Sequence, residues 1–283
     1  MSLFYRTLAD QENVRIFNGK YKMKRFYALT NLLLIIALIF WNYAANALSI
    51  GGNTIGSLSR EYENLFTPAG YAFTIWGPIY LGLLVHGIYQ VKKVFLDRKE
   101  DEFVLQMGPW LIFANLANAC WLWFWLNEHT GLSVVWMIIL LVSLIVVILR
   151  LNMERWDAPI RIIAWVWWPI CLYSGWIAVA TIANFAAWLT KIGWQPVFSD
   201  ITWTVIMIFL AFLVNMFMII SRNMREFAVV GIWALVAISI RHWDSIPVLQ
   251  WMALVCALVL LVAISIHGYQ NRATSPFLKM REG

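Results

Sequence analysis

The chain has 283 residues, of which 62% are hydrophobic and 13% are charged, and its formal net charge is +6. Soluble domains average about 45–50% apolar and about 25% charged residues, so a water-soluble globule is excluded. A basic chain can bind nucleic acid, but these charges fall in short segments between apolar runs rather than on one surface. Orientation in a membrane explains them better, and we expect no nucleic-acid partner.

Apolar runs long enough to cross a bilayer recur along the sequence. A transmembrane helix needs about 20 apolar residues to cross about 30 Å of hydrocarbon. The sequence predicts eight spans, at residues 26–48, 72–95, 109–128, 131–152, 160–188, 201–221, 226–242 and 246–268. The predicted fold class is therefore all-α, a polytopic transmembrane helical bundle of about eight helices. The first span would act as an uncleaved signal anchor, because no apolar stretch precedes it.

The positions of the 21 Lys and Arg residues predict the orientation of the spans. With eight spans and a cytoplasmic N terminus, only Arg60, Lys191 and Arg241 fall in outer segments, and the other 18 fall in inner ones. Cytoplasmic loops of membrane proteins carry such an excess of positive charge. Both termini are therefore expected in the cytoplasm, and a plasma or inner membrane is the expected location.

Asp, Glu, Lys and Arg are absent from the middle of the predicted spans. Proton relays, voltage sensors and retinal Schiff bases need such residues inside the membrane, so these functions are disfavoured. Phosphate-binding loops, metal clusters and nucleophiles beside a base are also absent from the sequence, and we expect neither an enzyme nor a metal site. Cys120, Cys171 and Cys256 lie in apolar runs and are expected to be buried free thiols.

Aromatic and amide side chains form stripes on three predicted spans, because residues three, four or seven positions apart share one helix face. The stripes are Phe73, Trp76 and Tyr80 in the second span, Asn115, Asn118, Trp121 and Trp125 in the third, and Tyr173, Trp176, Ala180 and Asn184 in the fifth. One interpretation is a cavity walled by rings, suited to a flat and largely apolar ligand. The other is packing between helices, with Asn side chains bonding across the interface. The stripes alone leave both interpretations open.

Prolines and histidines inside the spans indicate further local features. Pro78 and Pro169 should each kink a helix and free a carbonyl about one turn earlier. His86 and His267 lie toward the inner ends of their spans. Hydrogen bonding at the membrane interface is the favoured role for both, and paired haem ligation is the alternative. His242, in an outer turn, is expected to be solvated.

The segment from Phe66 to Leu81, FTPAGYAFTIWGPIYL, resembles the stretch that enters the second span of the tryptophan-rich sensory protein family. This is the TspO type, related to the mitochondrial translocator protein or peripheral benzodiazepine receptor. The matching positions there are Pro68, Gly70, Phe73, Trp76 and Tyr80. Two further family motifs are similar to Asn118 and Trp121 in the third span and to Tyr173, Trp176, Ala180, Thr181 and Asn184 in the fifth. The resemblance covers about residues 26–190, although Leu172 stands where the family has a proline.

The resemblance implies a five-helix core that binds tetrapyrroles, sterol-like molecules or drugs between its helices, under a lid from the first loop. Loop 49–71 would be that lid. The implied ligand-binding residues are Phe73, Trp76, Tyr80, Asn118, Trp121, Trp125, Tyr173, Trp176 and Asn184. The resemblance thus supplies a ligand class rather than an activity. It implies no certain cofactor, and a porphyrin is the bound group that it suggests.

The chain is longer than this implied core. The predicted organisation is a polar cytoplasmic tail at 1–25, the five-helix core at 26–190, three additional transmembrane helices at 191–270 and a cytoplasmic tail at 271–283. The added helices could seal the bundle, form a homodimer surface or line a permeation path. The favoured function is binding of a planar hydrophobic ligand from the membrane lipid, in sensing or transport. The alternative is an eight-helix permease for a neutral or amphipathic molecule.

Overall fold

The computed structural model describes residues 2–97, 102–195 and 197–271, with side chains from residue 18 onward. All regular structure within these ranges is helical. The α-helices are α1 (Ser2–Ala47), α2 (Ile55–Glu61), α3 (Trp76–Lys92), α4 (Glu102–Met107), α5 (Trp110–Leu126), α6 (Thr130–Arg150), α7 (Ile160–Ile162), α8 (Trp168–Lys191), α9 (Asp200–Arg222), α10 (Arg225–Arg241) and α11 (Pro247–Gln270). Two 3-10 helices, Ile50–Gly52 and Gly70–Ile75, and two π-helical turns, Lys93–Asp97 and Ile163–Trp167, join them.

Six helical segments are long and apolar enough to cross a membrane. They are Asn18–Ala47, Gly70–Asp97, Thr130–Arg150, Ile160–Lys191, Asp200–Arg222 and Pro247–Gln270. The other two predicted spans form α5 and α10, each of 17 residues, which rise about 26 Å. The polytopic helical bundle is therefore confirmed. Eight crossings and cytoplasmic termini stay predictions, and the charges at Arg98 and Lys99 and in 272–283 lie outside the described residues.

Contacts between loops show that successive helices run in alternate directions. At one end, Tyr62 after α2 donates to Glu128 between α5 and α6 (2.6 Å), and Lys191 at the end of α8 pairs with the same carboxylate. At the other end, Lys24 pairs with Glu102 across 2.7 Å. The loops predicted to be outer thus gather at one end of the bundle, called the outer end below.

Helix α1 begins at Ser2, well before the predicted span at 26–48. Hydropathy marks where a helix enters hydrocarbon, whereas backbone hydrogen bonding continues through polar residues. The thiols follow the expectation only in part. Cys171 and Cys256 are buried, but Cys120 is partly exposed, because it shares the outward face of α5 with the exposed Phe113.

Pro169 interrupts the helix of the fifth predicted span, as expected. Because proline has no N–H, the carbonyl of Trp165 loses its helical donor, and the turn before Pro169 is π-helical. The Nδ1 atom of His86, on α3, lies 2.8 Å from this carbonyl oxygen. Since a carbonyl only accepts, His86 carries its proton on Nδ1. His86 is fully buried, so the expected hydrogen bonding occurs inside the bundle and not at the membrane interface.

Pro78 lies near the start of α3 rather than in a helix interior, and the predicted kink there stays a prediction. Helix α3 begins at Trp76, directly after the 3-10 helix Gly70–Ile75. Pro78 is the third residue of α3, in the first turn, where backbone N–H groups need no partner within the helix. The proline therefore accompanies a change from 3-10 to α geometry.

Glycines lie where helix α10 contacts α8 and where it contacts α9. A Cβ atom added to Gly175 of α8 would lie 2.7 Å from the carbonyl oxygen of Phe227 on α10. One added to Gly231 of α10 would overlap the side-chain amide of Asn215 on α9. Because a backbone carbonyl on a packed helix cannot move aside as a side chain can, glycine at position 175 allows α8 and α10 to approach so closely. Helix α10 therefore packs directly on the fifth predicted span.

We predict that His86→Leu lowers the free energy of unfolding by about 1–3 kcal/mol, the cost of leaving a buried carbonyl without a donor. Pro169→Ala supplies a backbone N–H for the same carbonyl, so the double variant should recover much of the loss. Denaturant titrations of all four chains in mixed micelles measure this coupling. Strictly additive effects of the two substitutions would contradict the assignment of His86 as the donor to the carbonyl of Trp165.

Candidate functional site

Trp76, at the start of α3, is the centre of an aromatic cluster. Four rings surround it, with centroid separations of 5.1 Å for Tyr80, 6.4 Å for Trp121, 6.3 Å for Tyr173 and 6.4 Å for Trp176. Tyr80 and Trp121 lie nearly parallel to its ring, and Trp176 meets it edge-on. Helices α3, α5 and α8 therefore meet at this residue, and the three predicted stripes face one another.

Two amides of the stripes are bound within the bundle. Asn118 donates from Nδ2 to the hydroxyl of Tyr173 (2.8 Å). The indole N–H of Trp121 donates to Oδ1 of Asn184 (2.6 Å), and Nδ2 of Asn184 donates to Oγ of Ser133 (2.9 Å). These bonds connect α5, α6 and α8. For both amides, interhelical packing accounts for the hydrogen bonds.

A small cavity of about 60 Å³ lies beside these rings, and we call it the chamber. Its walls include Trp76, Trp121, Trp125, Trp176 and Asn184. A water molecule takes about 30 Å³ of liquid volume, and pockets for drug-sized ligands run from about 300 to 1,000 Å³. The chamber therefore has room for a substituent, and a tetrapyrrole does not fit inside it.

A larger cavity of about 910 Å³, called the groove, opens beside the chamber at the outer end. The two share a wall made by Ile55, Ser59, Thr67, Pro68, Phe73 and Trp76. The rest of the groove is lined by Ile39, Asn42, Tyr43, Asn46, Ala47, Gly56, Arg60, Glu63, Ala69, Gly70, Tyr80 and Arg241. It opens on the surface beside Tyr43, whose side chain is 73% exposed. Its volume falls within the range of small-molecule sites.

The nine residues predicted to bind ligand are divided among three places. Phe73, Trp76 and Tyr80 line the groove. Phe73 and Trp76, together with Trp121, Trp125, Trp176 and Asn184, line the chamber. Asn118 and Tyr173 line neither cavity and bond to each other behind Trp76. The loop 49–71, expected to be a lid, contributes Ile55, Ser59, Thr67 and Pro68 to the wall that both cavities share.

Helix α1 supplies a wall of the groove that the aromatic stripes do not indicate. Ile39, Asn42, Tyr43 and Asn46 line it, and Oδ1 of Asn46 accepts from the backbone N–H of Ile55 in the lid (3.1 Å). The available signal was the pair of amides at 42 and 46, four positions apart near the end of an apolar span. This spacing places both on one helix face.

Several buried polar atoms around the cavities have no hydrogen-bond partner among the described residues. They are the hydroxyl of Tyr80, a residue of the groove wall, the indole N–H groups of Trp125 and Trp176, residues of the chamber wall, and Oδ1 of Asn118 behind them. Buried polar groups are nearly always paired, so each unpaired one needs an explanation. Three of the four are donors, and a bound molecule with acceptor atoms would satisfy them once the rings that carry them turn toward the cavities.

The lid is fixed at both ends of α2. Thr54 and Ser57 form a capping box at its start, and Tyr62 at its end donates to Glu128. The hydrogen bond from Tyr62, followed by that from Lys191, holds the pKa of the Glu128 carboxyl below its ordinary value. Burial and this same bond raise the pKa of Tyr62. The ionised carboxylate is therefore the form that anchors the lid.

Comparison with known proteins places the chain in a family. Residues 28–266 match the model of a family described as TSPO-like protein. The match continues beyond residue 190, where the predicted core ends, so helices α9–α11 lie within it. No curated protein and no solved structure matches the chain.

We predict that acid loosens the lid. A carboxyl whose pKa is lowered by folding stabilises the folded contact above its unfolded pKa of about 4.3, and this stabilisation is lost as the pH falls through the folded pKa. Amide exchange of peptides covering α2 should therefore speed up below about pH 4, after correction for intrinsic rates. Glu128→Gln should show fast exchange at neutral pH and no acid-dependent step. An acid step of the same size in both chains would refute this anchor.

Proposed function

Because this chain belongs to the TSPO-like protein family and is a multi-pass integral membrane protein, we propose that its groove binds a planar hydrophobic ligand of the tetrapyrrole, sterol or isoprenoid kind. The ligand serves a sensory or transport role, and no catalytic role is proposed. The observation that carries the proposal is the 910 Å³ groove with the stacked Trp76 and Tyr80 pair in its wall.

The lining of the groove suits a flat apolar molecule. Ile39, Tyr43, Phe73, Trp76 and Tyr80 offer apolar surface and ring faces, and aromatic rings favour offset or edge-on contact with another π-system. The unpaired hydroxyl of Tyr80 is buried behind this wall, and a turn of the ring toward the groove would make it a hydrogen-bond donor that orients the ligand. A few polar groups on a largely apolar wall are typical of small-molecule sites.

The ligand reaches the groove from the surrounding lipid. The groove opens along the outer half of α1, where Phe40 is 70% exposed and Tyr43 is 73% exposed. On a membrane-spanning helix this exposed surface contacts lipid tails. A hydrophobic ligand concentrates in the bilayer, so a lateral opening gives it a direct approach to Trp76.

Passage through the protein is the second candidate function. A second cavity of about 580 Å³ lies at the outer end between the first loop, the end of α8 and the start of α9, and it favours a route involving the C-terminal helices. Toward the inner end, however, Ile79, Leu83 and His86 of α3 are fully buried, which favours binding over passage. Proteoliposome flux of a bound ligand would establish transport, and binding without flux would leave it a binding protein.

We predict that protoporphyrin quenches the tryptophan fluorescence of the protein in nanodiscs saturably. Tyr80→Phe removes one buried donor and should weaken the affinity by about two- to tenfold, the worth of a single hydrogen bond. Tyr43→Ala removes an exposed ring at the mouth and should also weaken binding, with little effect on folding. Competition titrations, in which sterols and isoprenoids displace protoporphyrin, then rank the affinities of the ligand classes.

The matched control is Phe40→Ala, which removes an equally exposed ring from α1 outside the groove. Its affinity should equal that of the unaltered chain. Equal losses in Tyr43→Ala and Phe40→Ala would mean that the quenching reports adsorption to α1 rather than binding in the groove. Quenching that never saturates would refute the proposed site.

A further inference from the structure

The second half of helix α10 contacts residues 63–72 of the first loop, a segment that we call the strap. The indole N–H of Trp233 donates to the carbonyl of Ala72 (3.0 Å), and the ring of Trp233 packs edge-on against Tyr71 (5.2 Å). One turn later, the backbone N–H of Ala69 donates to the carbonyl of Ala237 (3.1 Å). The strap is thus bound to α10 through its backbone.

The end of α10 holds the start of the strap. Arg241 donates to the carbonyl of Asn64 (3.1 Å) and to that of Thr67, and it forms an ion pair with Glu63. The Nε2 atom of His242 lies 2.7 Å from the carbonyl of Leu65. His242 is only 3% exposed, so the expectation of a solvated histidine is wrong. Its burial results from packing against a strap about 177 residues earlier in the chain.

The opposite side of the strap forms the walls of the cavities. Thr67 and Pro68 line both the groove and the chamber. Glu63 and Arg241 line both the groove and the 580 Å³ second cavity. The ion pair between them is therefore part of the partition that separates these two cavities. Any movement of the strap changes the shape of the groove and weakens this partition.

We propose that α10 sets the position of the strap and thereby controls how long the groove retains its ligand, with Trp233, Arg241 and His242 as positioning residues. The proposal rests on the proposed function of the groove. It assigns a role to the C-terminal helices, which complete the outer wall of the ligand site. Arg241 is the main contact, because guanidinium bonds to carbonyls and to a carboxylate are stronger than neutral ones.

The first test needs no ligand. Hydrogen–deuterium exchange of peptides covering residues 63–72 should be at least about tenfold faster in Arg241→Gln, which loses the charge-assisted bonds. Glu63→Gln keeps both carbonyl bonds of Arg241 and should show a smaller increase. The matched control Arg60→Gln removes a charge from the same groove without a bond to the strap among the described residues, and its exchange should equal that of the unaltered chain.

A second pair of variants separates positioning from general destabilisation. Trp233→Phe keeps a ring beside Tyr71 and removes the N–H to Ala72, whereas Trp251→Phe changes a 56% exposed indole on α11. Exchange of the strap should rise only in Trp233→Phe, while exchange of α8 and the thermal midpoint stay nearly unchanged. Strap exchange that is unchanged in both Arg241→Gln and Trp233→Phe would overturn the proposal.

The ligand test uses protoporphyrin in nanodiscs. Its dissociation rate, measured by recovery of tryptophan fluorescence, should rise about tenfold in Arg241→Gln. It should stay unchanged in Arg161→Gln, which removes an exposed charge outside the groove. Faster strap exchange without faster dissociation would overturn control of the ligand by α10. If protoporphyrin binds to no chain, the proposed function fails, while the exchange measurements still decide whether α10 positions the strap.

Discussion

The absence of water inside a bilayer is the constraint on which this structure depends. Each break in a helix, and each polar side chain on a buried face, has to find its partner within the bundle. Pro169 frees the carbonyl of Trp165, and His86 from a neighbouring helix donates to it. Asn184 uses both ends of its amide, accepting from Trp121 and donating to Ser133. These bonds fix which faces of α3, α5, α6 and α8 meet.

The same constraint identifies the region where buried polar groups lack hydrogen-bond partners within the bundle. Around the chamber and the groove, Tyr80, Trp125 and Trp176 keep buried polar hydrogens without partners among the described residues. A groove of about 910 Å³ lies beside the aromatic cluster and is not filled by its side chains. Packing accounts for Asn118 and Asn184, whereas the unpaired donors and the groove support a ligand. The two interpretations of the stripes thus apply to different parts of the same cluster.

Periodicity and hydropathy predicted the features that depend on neighbouring residues along the chain. The eight predicted spans all fall on helical segments. The stripes through Trp76, Trp121 and Trp176 face one another, because helix geometry sets which residues share a face. The groove itself was not predictable in this way. The amides of Asn42 and Asn46 marked one face of α1, but the shape of the groove depends on the packing of distant segments.

Contacts across long stretches of sequence explain the remaining differences. The sequence places His242 in an outer turn, where solvent exposure is expected. It is instead buried against the strap, about 177 residues earlier in the chain. Arg241 counts as one of three outer charges, yet it joins Glu63 and two carbonyls of the same strap. Neither contact leaves a local pattern, because both depend on how α10 docks against α8 through Gly175.

The central claim is that the groove beside Trp76 is the ligand site. An experimental structure of the protein in nanodiscs saturated with protoporphyrin tests it most directly. We expect ligand density in the groove, in contact with the rings of Trp76 and Tyr80 and closed over by the lid and the strap. Density confined to the lipid-facing surface, or an unfilled groove at saturating ligand, would contradict the claim.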